Sequence, residues 1–131
     1  ENNRSQFLKT KKNNLYLDAY NANPSSVNVS VKNFLSLRID SKILILGDML
    51  ELGDNAKIEH ERIIKMLINE NVNQIILVGN IYNSLKVSDK FIQFENTEKL
   101  SLWLEKQRLE NSNILIKGSR GIGLEKIVEL L

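Results

Sequence analysis

Short apolar runs alternate with segments of helical periodicity along the chain, and this alternation predicts an α/β fold. Several of the runs are rich in Ile, Leu and Val with little polar alternation, which is typical of strands covered on both faces. We therefore predict a mainly parallel sheet with helices on both faces. The predicted strands are Leu15–Ala19, Lys42–Gly47, Gln74–Gly79, Phe91–Phe94 and Asn113–Lys117.

Four apolar stripes with helical spacing lie between these strands or after the last of them. The first follows Ser25 and Ser26, one of which we predict as the N-cap of its helix. The third is opened by Thr97, and the fourth has apolar residues at i, i+3, i+4 and i+7. The predicted helical stripes are Val27–Leu35, His60–Ile68, Leu100–Gln107 and Leu124–Leu131.

The composition is that of an ordinary globular protein, and we predict a single domain over residues 1–131. The net charge of +2, without a basic block, argues against a nucleic-acid-binding surface. Cysteine is absent and His60 is the only histidine, so we predict neither disulfides nor a metal site in this chain. No apolar run is long enough to span a bilayer, and the N-terminus lacks the apolar region of a signal peptide.

Polar segments follow four of the predicted strands. In open parallel sheets, ligands bind outside the carboxyl ends of the strands. We therefore predict that these segments line one edge of the domain and form its site. They are "DAYNANPSS" (18–26), "GDMLELGD" (47–54), "GNIYNS" (79–84) and "KGSRGIG" (117–123).

The first polar segment has two compatible interpretations. Asp18 is able to accept hydrogen bonds from a ribose diol, and the amides of Asn21 and Asn23 carry both donors and acceptors. The same run of Asn, Pro and Ser is also typical of a turn that leads into a helix. On residue chemistry alone we favour the turn.

The second segment carries two carboxylates, Asp48 and Glu51, which would suit a metal or an acid–base pair. We favour solvated loop charges instead, with Leu50 and Leu52 packing inward. His60 lies on the apolar stripe of its predicted helix. For this residue we favour a hydrogen-bonded, partly buried side chain over a catalytic one.

The last segment contains the glycine-rich turn "SRGIG", and Tyr82–Lys86 reads Y-x-x-x-K, so together they are similar to signatures of short-chain dehydrogenases. We reject that interpretation because the order of the two is reversed and only Leu124–Leu131 follow the glycines. No βαβ unit remains to bind a dinucleotide. What remains is Lys117, a polar turn and Arg120 at a predicted helix start, which together suit a carboxylate or phosphate.

Taken in series, "DAYNANPSSV", "LGDMLELG", His60 and "IKGSRGIGLEKIVELL" resemble the C-terminal domain of the Mur ligases over essentially the whole chain. The resemblance implies a Rossmann-like domain of a cytoplasmic, monomeric enzyme of peptidoglycan biosynthesis. The implied enzyme also has a UDP-sugar-binding domain and a central P-loop ATPase domain. The implied reaction uses ATP to phosphorylate the carboxyl end of UDP-N-acetylmuramoyl-tripeptide, which the amine of D-alanyl-D-alanine then attacks.

The chain contains no phosphate-binding segment G-x-x-x-x-G-K-[ST], and the resemblance implies that the ligands of Mg²⁺ belong to the central domain. We therefore expect an excised domain that closes on ATP, helps to bind the dipeptide and is inactive alone. The alternative is a free-standing Rossmann-type module that binds a nucleotide or a peptide. We favour the excised domain because Glu1 opens directly on the segment with which the family's domain starts.

The resemblance also implies roles for individual residues. Asp18 matches the family's nucleotide-contacting aspartate, which is expected to reach the ribose. Arg4 matches an arginine that approaches the phosphates on closure, although the family usually has Gly-Arg where this chain has Asn3-Arg4. The implied nucleotide-binding residues are Arg4, Asp18, Tyr20, Asn21 and Asn23. The implied acceptor-binding residues are Asn80, Lys117, Ser119 and Arg120.

Overall fold

The computed structural model describes residues 5–19 and 21–131, in which six strands form one sheet in the order β1-β2-β6-β3-β4-β5. Every neighbouring pair is parallel except β1 and β2. The strands are β1 (Gln6–Lys9), β2 (Asn13–Asp18), β3 (Lys42–Gly47), β4 (Gln74–Val78), β5 (Phe91–Phe94) and β6 (Ser112–Lys117). The helices are α1 (Pro24–Ser36), α2 (Ala56–Leu67), α3 (Asn80–Asn83) and α4 (Thr97–Lys106), with 3-10 segments at Gly53–Asn55, Arg120–Ile122 and Leu124–Leu130.

Helices cover both faces of the sheet because its central strands carry apolar side chains on both. In β3, Ile43 and Ile45 belong to the core on one face, whereas Leu44 and Leu46 belong to the core on the other. The first core includes side chains of α4 and of the C-terminal 3-10 segment, and the second includes side chains of α1, α2 and α3. The predicted α/β sheet with covered faces is confirmed.

The five predicted strands are all present with small shifts at their ends, but the sequence pattern misses β1. This strand has four residues, pairs antiparallel with β2 and lies at the edge of the sheet. Three of its side chains, including Phe7, are exposed. A strand so little buried has no apolar period to mark it.

The N-cap of α1 is Asn23, so the prediction of Ser25 or Ser26 is wrong. Asn23 Oδ1 accepts a hydrogen bond from Ser26 N–H (2.9 Å), and Ser26 Oγ accepts one from Asn23 N–H (3.0 Å). This reciprocal pair is a capping box. Pro24 occupies the first helical position, where its missing N–H would have no intrahelical partner in any case.

The C-terminal stripe forms 3-10 turns instead of the predicted α-helix. Gly123 has a left-handed conformation (φ 75°) and separates the 3-10 turn Arg120–Ile122 from the segment Leu124–Leu130. Leu124 and Ile127 are buried, and their spacing of three fits 3-10 geometry as well as an α-helix. Arg120 therefore begins a three-residue turn and not the helix that the sequence predicted.

Candidate functional site

The four polar segments meet at one edge of the sheet, where the parallel strands β2, β6, β3 and β4 end side by side. We call the segments 18–26, 47–54, 79–84 and 117–123 together the carboxyl edge. Gly118 N–H donates to the carbonyl of Asp18 (3.4 Å), and Ser119 N–H donates to the carbonyl of Asp48 (3.1 Å). Asp48 N–H in turn donates to the carbonyl of Val78 (2.9 Å). Backbone hydrogen bonds thus connect all four strand ends.

Asp18 and Lys117 form a largely buried ion pair at this edge. They are neighbours in the register of β2 and β6, and Lys117 Nζ lies 2.6 Å from Asp18 Oδ2, with side chains 1% and 13% exposed respectively. The ammonium also donates to the carbonyl of Asn21 (2.9 Å). Asp18 Oδ1 is buried and accepts no hydrogen bond from the described residues. A buried carboxylate oxygen without a partner suits a ligand that donates a hydrogen bond.

Asp48 is the most connected carboxylate of the edge. Its side chain accepts N–H bonds from Ile81 (2.8 Å, Oδ2) and Tyr82 (2.9 Å, Oδ1) in the first turn of α3. Burial raises the pKa of Asp48, whereas these two hydrogen bonds and nearby His60 oppose the rise.

The prediction of solvated loop charges is wrong for Asp48, which is only 2% exposed. The prediction that Leu50 packs inward is also wrong, because that side chain is exposed. Leu52 does pack against the core, and Glu51 is exposed with a positive φ of 67°. Sequence reasoning missed Asp48 because a loop carboxylate next to glycine usually faces solvent.

His60 is fully buried and uses both ring nitrogens in hydrogen bonds. Nε2 accepts from Met49 N–H (2.9 Å), so the proton belongs on Nδ1, which lies 2.6 Å from the carbonyl of Ala56 and donates to it. Burial lowers the pKa of His60, and the Ala56 carbonyl and Asp48 oppose this. The expectation of a hydrogen-bonded residue holds, with burial that is complete instead of partial.

The other predicted site residues occupy different positions at the edge. Ser119 Oγ accepts from Leu50 N–H (2.9 Å) and so joins two of the polar segments. Asn80 is exposed at the first position of α3, and Arg120 is exposed at the start of its 3-10 turn. Asn21 is exposed, and its carbonyl accepts a hydrogen bond from Lys117 Nζ. The side chain of Asn23 takes part in the capping box.

Two predicted nucleotide-binding residues, Arg4 and Tyr20, lie outside the residues that the structure describes. Within the described ranges, no group of three or more His, Asp or Glu side chains is placed to hold a metal ion. No helix in the same ranges is long and apolar enough to cross a membrane.

The rejected dehydrogenase signatures have structural roles. Tyr82 is fully buried, its hydroxyl has no partner among the described residues, and burial raises its pKa above the ordinary range. A Cβ atom at Gly118 would lie 3.0 Å from Gly47 Cα and 2.9 Å from Leu124 Cδ1. Gly118, the residue directly before "SRGIG", therefore permits close packing between β3, β6 and the C-terminal segment.

Comparison with known proteins identifies the family. The sequence profile of the family described as "Mur ligase, glutamate ligase domain" matches residues 3–120. The chain belongs to the Mur ligase family. This Mur ligase domain is 34% identical over 132 residues to the UDP-N-acetylmuramoyl-tripeptide–D-alanyl-D-alanine ligase of Rickettsia prowazekii, with 96% of the chain covered. The ligase of the same name from Bacillus subtilis is 30% identical over 137 residues, again with 96% of the chain covered.

Solved structures agree with this assignment. The Mur ligase domain superposes on MurF from Acinetobacter baumannii with a TM-score of 0.84 and 25% identity, covering 98% of this chain and 29% of that one. MurF ligase from Thermotoga maritima, solved in complex with ADP, shares the fold with a TM-score of 0.76 and 23% identity, covering 98% of this chain. The chain is thus homologous to MurF over most of its own length, but it spans only 29% and 30% of the Rickettsia and Bacillus ligases.

Proposed function

We propose that this chain acts as the C-terminal domain of a longer, ATP-dependent amide ligase that joins D-alanyl-D-alanine to UDP-N-acetylmuramoyl-tripeptide in peptidoglycan biosynthesis. The observation that carries the proposal is the Asp18 carboxylate at the carboxyl edge. Its Oδ2 pairs with Lys117, whereas its Oδ1 accepts no hydrogen bond from the described residues. The names of relatives at 34% and 30% identity support the reaction. Because these relatives are longer than this chain, we propose that further domains contribute to the reaction.

In this proposal, Asp18 binds the nucleotide. Lys117 balances the charge on Oδ2 and fixes the direction of the carboxylate, so that Oδ1 accepts a hydroxyl of the ribose. The ADP in the Thermotoga relative supports an adenine nucleotide as the ligand. Lys117 was predicted to bind the acceptor, but its ammonium is buried against Asp18 and the Asn21 carbonyl. We therefore propose that Lys117 positions Asp18, while Arg4 and Tyr20 remain predicted nucleotide ligands.

The acceptor dipeptide is proposed to bind beside the nucleotide, at the ends of β4 and β6. Asn80 and Arg120 are exposed there and offer an amide and a guanidinium, which suits a carboxylate such as that of D-alanyl-D-alanine. Ser119 stays bonded to Leu50 N–H, so its hydroxyl orients the loop that carries Arg120.

The chemical steps are proposed to take place against the central domain of the longer protein. There, transfer of the γ-phosphoryl group of ATP to the tripeptide carboxylate gives an acyl phosphate. The amine of the dipeptide then attacks the acyl carbon and expels phosphate. We propose that the central domain supplies the ligands of Mg²⁺, as the resemblance to the Mur ligases implies. The residues of this chain bind, orient and close over the two substrates.

We expect the purified 131-residue chain to show no ATP turnover, because its sequence lacks the phosphate-binding loop that positions the β- and γ-phosphates. We expect a longer protein that carries this chain behind the family's two other domains to release ADP only when UDP-N-acetylmuramoyl-tripeptide and D-alanyl-D-alanine are both present. A coupled ADP assay measures both. Ligation of a different acceptor at equal rate, or ATP turnover by the short chain that Asp18→Asn abolishes, would contradict the proposal.

A further inference from the structure

Asp48 bonds to every polar segment that carries a proposed acceptor-binding residue. We propose that Asp48, supported by His60, positions the acceptor half of the carboxyl edge, that is, the segments 79–84 and 117–123. Asp48 holds Asn80 and Ser119 in the geometry that binds the dipeptide. This inference rests on the proposed function, since it assigns Asp48 to one of the two substrates of that reaction.

The backbone of Asp48 connects two neighbouring strand ends. Its N–H continues the β3–β4 ladder one residue beyond the end of β3 by donating to the carbonyl of Val78 (2.9 Å), the last residue of β4. Its carbonyl accepts from Ser119 N–H (3.1 Å) on the other side. Asp48 therefore lies between the loop after β4 and the loop after β6, and a shift of its backbone would move both.

The side chain of Asp48 holds α3 in place. Its two oxygens accept the N–H groups of Ile81 and Tyr82, the residues directly after Asn80. A helix of four residues is too short to be stable on its own, so its direction depends on such contacts. Gly79 makes room for them, because a Cβ atom there would overlap the carboxylate of Asp48.

His60 supports Asp48 through the neighbouring backbone. Its Nε2 lies 3.9 Å from Asp48 Oδ1, which is beyond hydrogen-bonding distance, and instead accepts from Met49 N–H. The next N–H, that of Leu50, donates to Ser119 Oγ. The imidazole also packs edge-on against Tyr82 at 4.5 Å between ring centroids. His60 thus fixes the loop on one side and the first turn of α3 on the other.

Asp18, the proposed nucleotide ligand, is held by an ion pair in which Asp48 takes no part. Asp18 is held by Lys117, and the described contacts of Asp48 include neither of these residues. A change at Asp48 should therefore displace Asn80 and Ser119 while Asp18 keeps its partner. We therefore expect a change at Asp48 to weaken the binding of the dipeptide more than the binding of ATP.

The first arm of the test is amide hydrogen exchange of the 131-residue chain by NMR. Asp48→Asn keeps the shape of the side chain but offers one acceptor oxygen where the carboxylate offers two. We expect exchange at Ile81, Tyr82 or Ser119 to become at least tenfold faster. The exposed Asp89 gives the matched control, and Asp89→Asn should leave these amides unchanged. Unchanged exchange in Asp48→Asn would overturn the inference without touching the proposed function.

The second arm is steady-state kinetics of the longer ligase. Parent activity is measured first, so that failure of the proposed function is seen before any variant is compared. We expect Asp48→Asn to raise the KM for D-alanyl-D-alanine at least tenfold and to leave the KM for ATP within twofold. A dipeptide KM within twofold of the parent, or an equal rise in both KM values, would overturn the positioning role while parent ligation preserves the proposed function.

A second pair of variants covers the case in which Asp48→Asn fails to fold. His60→Gln retains an oxygen that is able to accept from Met49 N–H, whereas His60→Leu removes it. Both variants are compared by their KM for the dipeptide. We expect the value for His60→Leu to be at least fivefold higher than the value for His60→Gln, which should lie nearer to that of the parent. Equal values for the two variants would show that the hydrogen bond to Met49 has no part in positioning the acceptor, and would overturn the inference.

Discussion

Replacing Gly79 with alanine is expected to lower the free energy of unfolding by about 3–5 kcal/mol, the combined cost of a strained backbone and a disrupted buried carboxylate. Gly79 has φ 129° and ψ 163°, a region that is almost restricted to glycine. A Cβ atom there would also overlap the side chain of Asp48, which would have to leave the N–H groups of Ile81 and Tyr82. Chemical denaturation followed by circular dichroism measures the change.

Gly53 provides the matched control for this prediction. It also has a positive φ (58°), but its Cβ would have no heavy atom within 4 Å apart from those of Gly53 itself and its two chain neighbours. Gly53→Ala should therefore cost only the left-handed conformation, about 1–2 kcal/mol. If the two variants lose equal stability, the contact between Gly79 and Asp48 contributes nothing to the fold.

Lys117→Met is expected to destabilise the fold by about 3–5 kcal/mol, because removal of one partner leaves the other charge of a buried pair uncompensated. Asp18 would keep a carboxylate that is 13% exposed and has lost its bond on Oδ2, while Oδ1 has no partner among the described residues. The carbonyl of Asn21 would lose its donor as well. The thermal midpoint and the denaturant midpoint should both fall.

Two further variants separate burial from charge in this prediction. Lys99 pairs with Glu95 at 2.9 Å, but their side chains are 61% and 48% exposed, so Lys99→Met should cost under about 1 kcal/mol. The double variant Asp18→Leu with Lys117→Met should recover part of the loss, since apolar replacement of both partners removes the unpaired charge. A loss for Lys117→Met as small as that for Lys99→Met would contradict a buried pair.

The sequence pattern predicted five of the six strands that the structure describes, including the edge strand β5, and missed the edge strand β1. β3, β4 and β6 are covered on both faces and therefore read as nearly continuous apolar runs. β1 carries exposed side chains and becomes a strand only through its pairing with β2. Its formation depends on a tertiary contact that no local period records.

The candidate site was predicted by position but not by contact. Polar residues after successive strands sufficed to predict the carboxyl edge, because parallel strands end on the same side. The pairing of Asp18 with Lys117 joins residues 99 positions apart and depends on the register of β2 with β6. The burial of Asp48 likewise depends on α3, whose four residues are too few to give a helical period.

We propose that the Asp18 carboxylate binds the ribose of ATP, and the analogue 2′,3′-dideoxy-ATP probes this contact in the longer ligase. A hydrogen bond to a charged group contributes about 1.5–3 kcal/mol, so loss of the hydroxyls should lower kcat/KM of the parent enzyme about tenfold or more. Asp18→Asn retains an oxygen for Lys117, whereas alanine would leave the buried ammonium without its carboxylate.

We predict that the Asp18→Asn enzyme uses ATP about tenfold less efficiently than the parent, as loss of one charge-assisted hydrogen bond implies. For this variant, kcat/KM with ATP should exceed kcat/KM with 2′,3′-dideoxy-ATP by no more than about threefold, because the carboxylate proposed to accept the ribose hydroxyls is gone. An Asp18→Asn enzyme that discriminates between the two nucleotides as strongly as the parent would contradict a ribose contact by Asp18.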